Sequence, residues 1–240
     1  MPAILPTVLP AVVLVITATL LLAWLVGRQL ALGPHFLQFT LGLLVAGALL
    51  VLRMWRRSAA QTHPFASVGA ANYVTLLRCG LIVLMASLLV ETPTTALQWV
   101  ATALAILAAV LDSVDGWIAR RTRMSSRFGA RLDMETDALL VLVLSLIAWR
   151  LGRSGPWLML AGLLRYAFIA ASLPLQWMRR PLPDSRRRKR VAAALMTAMI
   201  VVISPFVPWP VAMAIGATAL AALLLSFAID VHWLWKQRRP

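Results

Sequence analysis

Residues 101–151 read ATALAILAAVLDSVDGWIARRTRMSSRFGARLDMETDALLVLVLSLIAWRL. Two apolar runs enclose a polar segment, and five of the chain's eight acidic residues fall inside it: Asp112, Asp115, Asp133, Glu135 and Asp137. Asp112 ends the first run without a break, and Asp137 begins the second. The acids therefore stand where two consecutive helices meet a membrane face, or slightly below it. Ionisable groups at that depth are costly and mark a site.

Helical spacing sharpens this reading. Asp112, Asp115, Gly116 and Ala119 fall at i, i+3, i+4 and i+7 and form one stripe. Gly129, Asp133 and Asp137 fall at i, i+4 and i+8 and form another. If the stripes face each other, four carboxylates converge beside residues without bulk. Four anions at low effective dielectric repel strongly. Two divalent cations resolve the conflict, and oxygen-only ligands suit hard ions such as Mg2+ or Mn2+. Such ions can clamp a pyrophosphate, and the small residues let a phosphate approach the helix backbone. A blander reading makes the acids helix caps or partners of Arg120, Arg121, Arg123, Arg127 and Arg131. Two matched stripes with small residues between them favour the site. Glu135 lies off both.

The rest of the chain supplies the setting. It has 240 residues, is 61% hydrophobic and carries 23 basic side chains against eight acids. The apolar residues come in eight runs, roughly 9–27, 35–52, 73–90, 95–111, 138–151, 156–175, 191–207 and 209–230. A helix needs about 20 residues to cross about 30 Å of hydrocarbon, so the shorter runs must extend into polar flanks. Lipid forces each span to satisfy its own backbone, which predicts an all-α polytopic transmembrane helical bundle. The first run has no basic residue before Arg28 and reads as a retained span rather than a cleaved signal. The lone Cys79 excludes an internal disulfide.

The positive charges alternate by loop. Eighteen of the 23 fall in loops around 53–57, 120–131, 179–190 and 236–239. The opposite loops hold only Arg28, Arg150 and Arg153. That is the positive-inside pattern, not a nucleic-acid face, and it places both termini and the acidic segment on the cytoplasmic side. Arginine outnumbers lysine 21 to two, a bacterial-type bias that points to a bacterial inner membrane. Helix breakers mark the opposite turns: Gly33-Pro34, Thr92-Pro93, Gly155-Pro156 and Pro205 to Pro210.

The acidic segment also resembles a known signature. D-x2-D-G-x2-A-R-x8-G-x3-D-x3-D characterises the CDP-alcohol phosphatidyltransferases, and all its fixed positions match from Asp112 to Asp137. Asn72, Thr75 and Arg78 resemble the N-x2-T-x2-R that opens the family's first core helix. The resemblance covers about residues 70–230. It implies a six-helix catalytic core over 70–240, preceded by an extension over 1–69 with two extra helices. It further implies that Asp112, Asp115, Asp133 and Asp137 hold two divalent ions, with Asp137 also the general base. Gly116, Ala119, Arg120 and Gly129 would line the nucleotide site, bordered by Asn72 and Thr75. Members are typically homodimers. The implied reaction moves a phosphatidyl group from CDP-diacylglycerol to an alcohol and releases CMP.

The acceptor is less legible. Arg165 lies inside the run Leu158–Ala171, and a buried arginine needs an anion. A phosphorylated acceptor would serve, with Arg188 and Arg190 completing the pocket; a pair with Asp230 or a site aspartate is the alternative. Glycerol 3-phosphate is favoured, with serine, inositol phosphate or a second phosphatidylglycerol as alternatives. From a different class, a cation transporter could use the same aspartates as an ion path. Arg120 and the interleaved small residues speak for a phosphate site instead.

Overall fold

The computed structural model describes residues 5–59, 70–122 and 127–238. These residues form eight α-helices and no strand. They are α1 (Leu5–Gln29), α2 (Pro34–Ala59), α3 (Ala70–Ser87), α4 (Thr95–Thr122), α5 (Arg127–Arg150), α6 (Leu160–Ser172), α7 (Arg186–Ile203) and α8 (Trp209–Lys236). One helix follows each apolar run. The two that flank the acidic segment extend into it, as their length required: α4 runs on through Asp112 and Asp115, and α5 begins before Asp133.

The turns lie where the breakers fall. At the end of α1, Leu32 N–H donates to Gly27 C=O at 2.9 Å and Ala31 adopts φ +49°. That is a left-handed helix stop with alanine in the position glycine usually takes. Pro34 then opens α2, where no backbone N–H is needed. α5 ends the same way, with Gly152 at φ +65° and Arg153 N–H bonded to Ala148 C=O at 2.8 Å.

Among the described residues, five helical stretches are long and apolar enough to cross a membrane: Val8–Gln29, Pro34–Arg56, Asn72–Val90, Thr95–Ile118 and Trp209–Lys236. The other three differ for visible reasons. α5 and α7 open on charged turns, and α6 has only 13 residues after a 3-10 turn over Pro156–Met159. Large apolar side chains point outward along the long helices; Leu49 is 63% exposed and Leu225 64%. Faces of that kind belong against lipid, so the chain is a multi-pass membrane protein.

The chain divides into two compact units, Met1–Leu139 and Leu140–Pro240, with the division inside α5. In the first, α3 packs against α1, α2 and α4. In the second, α8 packs against α6 and α7. Arg153 ties that unit together: its Nε donates to Val202 C=O at 3.2 Å and its Nη2 to Ser204 C=O at 3.0 Å. Val202 C=O, in the last turn of α7, which no helical N–H reaches, thereby gains a donor. Gly162 lets α6 approach α5 closely, because a Cβ there would lie 2.5 Å from Leu142 Cα and 2.8 Å from its backbone nitrogen. Gly162→Ala should therefore cost about 1–3 kcal/mol, read as a lower heat-unfolding midpoint in detergent.

Candidate active site

Arg78 is the centre of the first unit. It sits on α3 among apolar neighbours and is wholly buried. Charge at that depth requires anions, and four carboxylates converge on it. Nη1 donates to Asp112, to Asp115 at 3.2 Å and to Asp133 at 3.2 Å. Nη2 donates to Asp137. The two aspartates of α4 and the two of α5 thus meet, as their matched spacing predicts. Glu135 is not among the partners of Arg78.

The four acids are not equivalent. Asp115 is buried, and its Oδ2 also accepts from the Thr75 hydroxyl at 3.0 Å. Asp112, Asp133 and Asp137 keep about half of their side-chain surface open to solvent. Each of these three engages Arg78 through a single oxygen. One carboxylate oxygen from each lies within 4.8 Å of the others. Four carboxylates against one guanidinium leave a residual charge of three negative. An all-oxygen donor set with that charge and an open side fits divalent cations.

Behind the cluster, Thr136 and Cys79 approach at 3.2 Å between Oγ1 and Sγ, while the Thr136 hydroxyl also donates to Leu132 C=O at 2.7 Å. This neutral contact fixes α3 against α5 one residue away from Arg78 and Asp137. Asn72 is buried on the first turn of α3, and Gly116 and Gly129 are half-buried on α4 and α5. The side chains of Ala119 and Arg120 lie outside the described residues.

In the sequence Arg78 stands out only as the last position of N-x2-T-x2-R, with no role attached. The counter-cations nearest to the acids in sequence are the loop arginines. Among those described, Arg121 lies over the Trp117 ring at 4.7 Å and Arg131 is exposed. The side chains of Arg120, Arg123 and Arg127 lie outside the described residues. The missed signal was an arginine one turn beyond Thr75 on the apolar helix that precedes the acids. The depth of its burial selects it over the loop arginines that are described.

The residues suggested for the acceptor lie in the second unit. Arg165 is half-buried on α6. Asp230, offered as its alternative partner, is instead held by Arg187 and, at 3.5 Å, by Arg188. Arg188 also donates to Pro183 C=O, and Arg190 is exposed.

Residues 68–228 match the family model described as CDP-alcohol phosphatidyltransferase. A CDP-diacylglycerol–glycerol-3-phosphate 3-phosphatidyltransferase of Cereibacter sphaeroides is 41% identical over 63 residues, 26% of this chain and 28% of that protein. Proteins named "Putative cardiolipin synthase" from Mycobacterium bovis and Mycobacterium tuberculosis are each 38% identical over 77 residues, 32% of this chain and 37% of theirs. The chain thus spans about a third of the length of these curated relatives. No solved structure matches it.

Proposed function

We propose that this chain, which belongs to the CDP-alcohol phosphatidyltransferase family over residues 68–228, moves a phosphatidyl group from CDP-diacylglycerol to a small alcohol and releases CMP. The observation that carries this reading is the convergence of Asp112, Asp115, Asp133 and Asp137 on one buried guanidinium. The acceptor's hydroxyl oxygen forms a bond to the phosphorus that bears diacylglycerol. The bond from that phosphorus to the bridging oxygen breaks, and its electron pair leaves on CMP. The hydroxyl proton goes to the Asp137 carboxylate, which is half open to solvent. A positioned base of this kind contributes about 10²–10⁴-fold.

The family depends on divalent metal. Two ions, Mg2+ or Mn2+, would be held by Asp112, Asp133 and Asp137 with Asp115 completing the set, and would offset charge on the pyrophosphate and on departing CMP. Arg78 holds the carboxylates together and limits their mutual repulsion. With two dications bound, the residual charge becomes one positive, which suits an anionic pyrophosphate. Asn72, Thr75, Gly116, Ala119, Arg120 and Gly129 would border the nucleotide. A cation pathway is the poorer reading, since residues 68–228 match the phosphatidyltransferase family.

The site would face the cytoplasm, where the arginine-rich loops lie, in a homodimer. Glycerol 3-phosphate is the favoured acceptor, supported by the Cereibacter sphaeroides relative, which is named for that acceptor. The mycobacterial relatives are named for cardiolipin synthesis instead. The full chain supplied with CDP-diacylglycerol, divalent metal and each acceptor in turn should release CMP fastest with glycerol 3-phosphate. Turnover only with an uncharged alcohol would remove the phosphate pocket. No CMP release with any acceptor would remove the reaction.

A further inference from the structure

The helices α1 and α2 lie outside the family match, which begins at residue 68. Yet they pack directly on the helix that carries Arg78. On α3, Leu76 and Gly80 stand two residues either side of Arg78, roughly 160–200° around the helix from it. They form the back of the helix whose front meets the aspartates. A Cβ at Gly80 would collide with the Thr19 hydroxyl of α1 and come within 3.2 Å of Val15 Cγ1. Thr19 is itself buried. Gly80 is therefore a notch that seats α1.

The second contact reaches α5. Trp55 of α2 is buried and meets Phe128 of α5 edge to face, with ring centroids 4.9 Å apart. Phe128, Leu132 and Thr136 form a stripe one residue away from Gly129, Asp133 and Asp137. Phe128 and Leu132 join Leu76, Val15 and Trp55 in one buried apolar cluster. The same two N-terminal helices thus press on the backs of both elements whose fronts build the site.

We propose that the α1–α2 pair is a positioning brace for the acidic site: seated in the Gly80 notch and on Phe128, it sets the distance between Arg78 on α3 and Asp133 and Asp137 on α5. The notch matters because carboxylates that share metal ions tolerate little displacement. Residues supporting a metal site from behind typically change metal affinity by about 10–100-fold when altered. Gly80, Trp55 and Phe128 act on the site only through Arg78 and the aspartates.

The proposal rests on the metal reading above, so its test measures metal uptake separately from CMP release. The full chain in lipid nanodiscs is titrated with Mn2+, and free ion is followed by electron paramagnetic resonance. Gly80→Ala improves local helix propensity, so its effect comes from the lost notch. It should weaken Mn2+ binding by about tenfold. Thr19→Ala should leave binding within about twofold of wild type. The double variant should recover to the same level, because removing the hydroxyl makes room for the new methyl. Trp55→Leu reads the α2–α5 contact independently and should weaken binding several-fold, even if Gly80→Ala does not accumulate as folded protein. Wild-type affinity in both Gly80→Ala and Trp55→Leu, or a double variant no better than Gly80→Ala, would overturn the brace. A wild-type chain that takes up no Mn2+ would overturn the brace and the metal site together. Mn2+ uptake with the expected pattern but no CMP release would leave the brace standing and remove the phosphatidyl-transfer reading alone.

Discussion

Asp137→Asn should lower CMP release by about 10³-fold or more while the protein stays folded. The size follows from two losses at one atom position. An amide has no basic oxygen for the acceptor's proton, and base catalysis alone accounts for about 10²–10⁴-fold. The same change removes one of the three carboxylates clustered within 4.8 Å, so metal affinity falls as well. The fold survives because asparagine keeps the volume, and its carbonyl oxygen still accepts from Arg78 Nη2 as Asp137 does. Removing one negative charge also relieves repulsion among the remaining three. The comparison to make is initial CMP release at saturating Mn2+ against heat unfolding in the same detergent. A variant that turns over within tenfold of wild type would show that the proton leaves by another route.

The contrast between Asp137 and Arg78 marks what could be read from the chain alone. Helical periodicity fixes which residues of one helix share a face, so the stripes through Asp112 and Asp115 and through Asp133 and Asp137 are visible without a structure. Charge scarcity made them conspicuous: five of eight acids fall within 26 residues. The eight apolar runs were equally legible, because lipid demands uninterrupted hydrophobic length. Periodicity does not say which helix stands opposite. That Arg78, 34 residues before Asp112 in sequence, supplies the central cation depends on how α3 packs against α4. The difference between Asp115 and the other three acids was hidden for the same reason, since it comes from the Thr75 hydroxyl on another helix. The role of Gly80 was likewise invisible. Only the seating of Thr19 against it distinguishes that glycine from the others in the apolar helices.

Arg78→Met should make the metal-free protein markedly less stable and leave its folding dependent on divalent cation. Methionine keeps an unbranched apolar stem but removes the guanidinium and the positive charge that four carboxylates share. Breaking a fully buried ion cluster by deleting one partner costs about 3–5 kcal/mol. Three of these carboxylates are nearly half exposed, and solvent screens them, so about 2–3 kcal/mol is the better expectation. For a chain of this size each kcal/mol moves the unfolding midpoint by about 2–4 °C. The drop in chelator should therefore be roughly 4–12 °C. Divalent ions act in the opposite direction. They bind the folded cluster, where the carboxylates converge, and stabilise it by mass action. With no guanidinium competing for the same oxygens, Mn2+ should raise the midpoint further in Arg78→Met than in wild type. The measurement is heat unfolding with chelator and with Mn2+ for both proteins. Equal midpoints in chelator would mean that the carboxylates do not need Arg78. Equal Mn2+ increments would mean that Arg78 and the metal do not share those oxygens.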